Sequence, residues 1–233
     1  WDPPALSFGC FQTPPSAEER AFYREKKVDW VKRPSGGRAV LHHDELTYSL
    51  VTGESDGFRG PVLKDYLRIA HGLKKGFGLL GLQVELAEHA GRSKRPPSPA
   101  CFASKSWSEI TYGGRKLVGS AQVRREQSLL QHGSIPFTFD IAFLLKLLNK
   151  NECRASSLDT VQLQQSIIGL KEALGFYPER QKIISVLHKG LGEVLGVEWR
   201  EMPLTAEEVK LAKRLASEKY ANPVWNETRG LRS

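Results

Sequence analysis

Long apolar runs are missing from this 233-residue chain. The most apolar stretch, Ile141–Leu148, is far shorter than the ~20 residues that cross a bilayer, and it carries Lys146. A membrane partner is therefore not expected. Cysteine is scarce and odd in number: Cys10, Cys101 and Cys153. Three thiols do not make a secreted disulfide framework, so a reducing, cytoplasmic setting is expected. No Cys-x-x-Cys or His-x-x-x-His pair occurs, and no metal is expected from spacing of that kind. No Gly-Lys-Ser/Thr stands where a P-loop needs it. The signatures of zinc fingers, basic zippers and RNA-recognition folds are absent, so no nucleic-acid partner is expected. No signal peptide is visible, and the chain opens on Trp1 rather than Met.

What is present is ordinary globular material. Hydrophobic residues make up 40% and charged residues 26%, which excludes a disordered or collagen-like chain. Lys+Arg outnumber Asp+Glu 34 to 26, for a net charge of +8. That balance suits an acidic partner of some kind without naming it.

The pattern changes along the chain. Residues 5–11, 28–31 and 46–51 read as strands. Leu63, Tyr66, Leu67, Ala70, Leu73, Phe77 and Leu80 keep helical spacing after Pro61. Gly72, Gly76, Gly78 and Gly81 are expected to weaken that helix toward its end. Residues 90–99 read as a basic, proline-rich loop. Residues 116–124 and 128–135 read as a hairpin, and 158–173, 178–195 and 205–220 as helices. The last opens with Thr205-Ala-Glu-Glu208, which fits a capping box. One α+β domain over 1–233 is expected, helical from about residue 137.

The densest chemical signal is Lys32-Arg-Pro-Ser-Gly-Gly-Arg-Ala-Val-Leu-His42. Gly36 and Gly37 let backbone approach a ligand closely. Arg33 and Arg38 can hold an anionic group, and Ser35 offers a hydroxyl. By itself a Ser-Gly-Gly is also what a tight turn looks like. Cys101 by itself reads first as an inert buried thiol, and Lys116 as a solvated charge.

Residues Arg33 to His42, followed by Glu45-Leu-Thr-Tyr-Ser49, resemble the Arg-x-Thr/Ser-Gly-Gly-x-x-Val-x-His signature of the lipoate/biotin protein ligase superfamily. The resemblance continues in order. Trp1 to Gly9 with Gln12 is similar to the stretch before that signature. Ala100-Cys101-Phe102 is similar to the cysteine site of one branch. Gly114 to Gln122 resembles the lysine strand, and Leu130 to Ile135 the strand after it. Lys219-Tyr220-Ala221 with Trp225-Asn226 resembles the C-terminal end. The branch most resembled is the octanoyl-[acyl carrier protein]:protein octanoyltransferases of the LipM type.

The resemblance implies a mixed β-sheet with flanking helices, like the catalytic domain of biotin and lipoate protein ligases. It also implies a further N-terminal segment of a few tens of residues. The implied activity is octanoyl transfer from acyl carrier protein, through a thioester on Cys101, to one lysine of a lipoyl-domain protein. That acceptor would be the glycine cleavage H protein or a dehydrogenase E2 subunit. Carrier and acceptor proteins of this kind are typically acidic, which accounts for the basic charge. Lys116 would favour the Cys101 thiolate and shuttle protons. Arg33, Ser35, Gly36, Gly37, Arg38, His42, Gly119, Ala121, Gln122, His132 and Gly133 would bind substrate. The small side chains at Gly36-Gly37 and Gly119–Ala121 would leave room for the acyl chain. No ATP, metal or other cofactor is expected, because the incoming thioester is already activated. An ATP-dependent lipoate–protein ligase and an octanoyl amidotransferase acting between lipoyl domains are the alternative activities within the superfamily.

Overall fold

The computed structural model describes residues 1–87, 109–148 and 157–228. The chain divides into two compact units. One comprises Trp1–His43 and Trp199–Ser233, the other Asp44–Glu198.

The first unit is built on β1 (Ala5–Phe8), whose four residues are all buried. It pairs in parallel with β2 (Asp29–Lys32) and antiparallel with β3 (Val40–His42), giving the order β2-β1-β3. A parallel partner cannot be reached by a tight turn. The crossover carries α1 (Ala17–Glu25), a helix not expected from the sequence pattern. Tyr23 is the buried residue of α1, so its apolar periodicity is faint. The usable signal was the Ser16-x-x-Glu19 capping box: the Ser16 hydroxyl accepts from Glu19 N at 3.1 Å, and Glu19 accepts from Ser16 N at 2.6 Å. The C-terminal residues of this unit form α7 (Ala206–Leu215) and α8 (Pro223–Glu227), with a π-helical turn at Ala216–Tyr220 between them. The capping box of Thr205 and Glu208 is present as expected.

The second unit holds a five-stranded antiparallel sheet, ordered β4 (Glu45–Gly53), β8 (Ser128–Pro136), β7 (Arg115–Arg125), β6 (Ile110–Tyr112), β5 (Glu85–Leu86). The expected hairpin is β7–β8, closed by Glu126 and Gln127, with Glu126 at φ 50°. On the sheet pack α2 (Val62–Leu79) and α6 (Arg180–Leu195). Ile69, Leu73 and Phe77, four residues apart, join Leu50, Val118, Leu129, Ile135, Ile183, Leu187 and Leu191 in one core. The glycines of α2 do not end it early. A Cβ on Gly190 would lie 2.2 Å from the Gly76 nitrogen, so these positions let two helix backbones touch.

Shorter helices complete the unit: α3 (Ile141–Leu148), α4 (Ser157–Ser166) and α5 (Leu170–Leu174). The single helix expected over 158–173 is therefore two. Ile167 leaves the helix to bridge Lys116 in parallel, and Ile168 N donates to the Lys116 carbonyl at 3.0 Å. The α+β class with a mixed sheet and flanking helices is the one observed. The mixed pairing is in the three-stranded sheet.

Candidate functional site

In the first unit the loop from Arg33 to Arg38 joins β2 to β3. Arg33 is buried and its guanidinium is committed inside the unit. Nη1 donates to the Ser7 carbonyl at 2.7 Å and to the Ser7 hydroxyl at 3.2 Å. Nη2 donates to the carbonyls of Gly36 at 2.8 Å and Arg38 at 2.7 Å. One planar fork thus ties the loop's two ends to β1. Gly37 sits at φ +93°, and a Cβ there would be 2.8 Å from Arg33 Nη2. Gly9 is needed for the same fold-back, since its Cβ would meet the Gly37 carbonyl oxygen at 2.0 Å. Ser35 is fully buried, and its carbonyl accepts from Cys10 N at 3.0 Å. The two arginines of the motif therefore differ: Arg33 braces the loop, and Arg38 is half-buried at its end.

His42 closes β3. Its Nε2 is 2.8 Å from the Ser7 hydroxyl, and its ring stacks on Trp1 at 4.2 Å. Ser7 thus links Arg33 and His42. Sequence reading overlooked it, although a serine within an otherwise apolar buried strand is the available signal. The residue before Arg33 is held as firmly. Lys32 N donates to Asn226 Oδ1 at 2.8 Å, and its carbonyl accepts from Trp225 Nε1 at 2.8 Å. The Lys32 ammonium lies 4.7 Å from the Trp225 ring centre and donates to the Thr228 carbonyl. Burial pushes this ammonium below the usual lysine value, and interaction with Cys10 partly offsets that. Trp225 and Asn226, distant in sequence, thereby fix the entry to the loop.

In the second unit Lys116 is buried, 4% exposed. Its Nζ donates to Glu109 Oε1 at 2.5 Å, and Glu109 is 3% exposed. The β6–β7 register slips here. Thr111 faces Lys116 but Ile110 faces Val118, so Leu117 is an extra residue in β7. Such a bulge breaks the two-residue alternation, and Lys116, Leu117 and Val118 are buried in succession. Glu109 was not singled out from sequence. Its only sequence signal is an acidic residue at the start of the strand before the lysine strand.

Beyond the bulge, the β7–β8 pairing is regular and sorts the remaining candidates onto two faces. Gly119 pairs with Ser134 and Ala121 with His132. On that face Ser134 donates to the buried Glu45 carboxylate, which also accepts from Thr47 at 2.6 Å. The opposite face carries Ser120, Gln122, Gln131 and Gly133. There Tyr48 and Ser120 share a hydrogen bond of 2.7 Å, Gln131 donates to the Tyr48 oxygen at 3.2 Å, and Gln122 donates to Gln131 at 3.0 Å. Burial raises the Tyr48 phenol above its usual value, against the two hydrogen bonds. Gly133 makes room for the Tyr48 ring, whose Cε1 would lie 2.6 Å from a Cβ. Gln122 and Gly133 thus belong with the Tyr48 network, and Gly119, Ala121 and His132 with Glu45 and Ser134.

Cys101 lies outside the described residues, as do Cys153 and the basic, proline-rich stretch of residues 90–99. Among the described residues, no three His, Cys, Asp or Glu side chains are grouped as a metal site would need. No described helix is long and apolar enough to cross a membrane.

Comparison with known proteins bears on this arrangement. Residues 1–192 match the lipoyl protein ligase A/B catalytic domain. The chain is 37% identical over 231 residues to octanoyltransferase LipM of Kyrpidia tusciae, covering 97% of this chain and 84% of that one. It is 35% identical over 232 residues to the octanoyltransferase LipM of Brevibacillus brevis, with the same coverage. Among solved structures it is similar to a lipoate-protein ligase A bound with ATP (TM-score 0.74, 21% identity, 96% of this chain and 82% of that one). It is also similar to a bi-partite lipoate protein ligase from Thermoplasma acidophilum, studied with its E2 lipoyl domain (TM-score 0.78, 19% identity, 99% and 82%). At those identities the solved structures speak for the fold.

Proposed function

The chain belongs to the lipoyl protein ligase A/B catalytic-domain family, and from that premise we propose that it moves its acyl group through a cysteine thioester. It is an octanoyltransferase of lipoate biosynthesis, and its acceptor is a lipoyl-domain protein. The donor in this reading is octanoyl-acyl carrier protein, and the acceptor the glycine cleavage H protein or a dehydrogenase E2 subunit. The reading needs no ATP and no metal, because the donor thioester carries the activation.

The Cys101 thiolate attacks the octanoyl carbonyl carbon, and the bond to the carrier's sulfur breaks. The departing sulfur takes a proton from the Lys116 ammonium. The neutral amine of the acceptor lysine then attacks the acyl-cysteine, and the C–S bond to Cys101 breaks. Lys116, now neutral, takes the proton that the new amide sheds. Cys101 and Lys116 both return to their starting states. Gly119, Ala121 and His132 line the face that takes the alkyl chain in this proposal, and Gln122 and Gly133 support it from the Tyr48 side. Burying seven alkyl carbons at ~0.8 kcal/mol each would contribute roughly 5 kcal/mol to binding. In the other unit, Ser35, Gly36, Gly37 and His42 shape a loop that presents Arg38 to substrate, and Arg33 holds it.

The observation that carries the acid–base part is the burial of Lys116 against Glu109 at the β7 bulge. A solvated surface lysine would show neither. The test is intact-mass analysis after mixing with octanoyl carrier protein in the absence of ATP. One octanoyl group on the wild type, and none on Cys101→Ala, supports the reading. Acylation that requires ATP overturns it.

A further inference from the structure

A buried ion pair is an expensive way to hold a strand together. Taking both charges out of water costs about as much as their attraction returns, and apolar side chains of similar size commonly do as well or better. The backbone at Lys116 is also held without it. Its carbonyl accepts from Ile168 N at 3.0 Å, Ile167 bridges it, and β6 pairs with it at Thr111. The Glu109–Lys116 contact therefore fixes the ammonium group rather than the chain.

We propose that Glu109 is a positioning residue for Lys116, whose carboxylate sets the place of the ammonium. This rests on the reading of Lys116 as the proton-transfer group. Three features carry it. Nζ and Oε1 are 2.5 Å apart, and both side chains are nearly excluded from water. Glu109 stands directly before β6, beside the register slip that turns Lys116 inward. The neighbouring charges are engaged with each other: Arg115 on β7 bonds Glu172 on α5 at 2.7 Å and the Gln164 carbonyl on α4 at 3.4 Å. A charge-assisted hydrogen bond this short in a water-poor site holds the ammonium in one place.

The test uses the whole enzyme with octanoyl carrier protein as donor and follows acylation by mass across a series of donor concentrations. A misplaced ammonium still lets the donor bind but serves the departing sulfur poorly. In Glu109→Gln the maximal rate of acylation should fall about 100-fold, the low end of what a placed acid or base contributes, with the donor concentration at half-maximal rate little changed. Glu109→Asp keeps the anion and should recover part of that rate. In Lys116→Met, adding Glu109→Gln should change acylation little, because a residue acting through Lys116 has nothing left to act on. A maximal rate unchanged in Glu109→Gln, or a loss that multiplies in the double variant, overturns the proposal. Should Glu109→Gln alone fail to fold, the double variant, which leaves neither charge buried, and Glu109→Asp still decide it. Wild-type acylation and transfer by Lys116→Met would instead overturn the role given to Lys116 itself.

Discussion

Replacing Arg33 with Met tests whether this arginine braces its loop or serves a bound anion. The guanidinium supplies the Ser7 carbonyl and hydroxyl and the carbonyls of Gly36 and Arg38. Met fills much of the volume and donates nothing. Gly36 is half-buried, so water can replace that bond at little net loss. Ser7 is 3% exposed, so water has little access to its carbonyl. An unsatisfied buried acceptor costs about 1–3 kcal/mol, and a hydrogen bond from a charged donor is worth about 1.5–3 kcal/mol. Allowing for partial rescue by water, Arg33→Met should lose roughly 3–4 kcal/mol of folding stability. Arg33→Lys keeps the charge but not the fork, and one ammonium cannot reach Ser7 and Arg38 together. It should lose about half as much by the same count. The assay is urea denaturation of each variant beside the wild type, with acyl transfer measured on the folded protein. A stability change under about 0.5 kcal/mol in Arg33→Met, within the range of ordinary surface substitutions, together with a lost substrate affinity, would refute the bracing argument and return Arg33 to anion binding.

Cys101→Ala should abolish both acyl-enzyme formation and transfer, whereas Cys10→Ser and Cys153→Ser should retain transfer; intact mass and a transfer assay check all three. Transfer from the carrier should weaken between low and moderate salt, because steering by a +8 chain is screened over ~8 Å at physiological ionic strength. A salt-independent apparent affinity would mean that the net charge is incidental. Gly190→Ala should lower the melting temperature markedly, since the new methyl would meet the Gly76 nitrogen at 2.2 Å and force α2 and α6 apart. An unchanged melting temperature would mean that the helices have slack the structure does not show.

The β7–β8 hairpin and the Thr205 capping box were legible because alternation and side-chain-to-backbone bonds are set by neighbours in sequence; the Ser16 capping box of α1 is as local and was overlooked. Periodicity failed where a distant strand intervened. Residues 158–173 carry helical spacing, but Ile167 and Ile168 gain more from Lys116's backbone than from continuing the helix. The α2 glycines read as weak points, yet the α6 backbone lies against them and makes small side chains a requirement.

For the site, the sequence alone marked the Arg-Pro-Ser-Gly-Gly-Arg loop, because adjacent glycines within a short span permit the positive φ that Gly37 adopts. It also marked Lys116 within a run of small and apolar residues. What that loop does with its charges was decided elsewhere, by Ser7 on one strand and by Trp225 and Asn226 nearly 200 residues on. Likewise only the tertiary structure turned Lys116 inward and set Glu109 against it. One extra residue in β7 reverses which side chains face inward, and strand registers are set by pairing across space, which no window along the sequence contains.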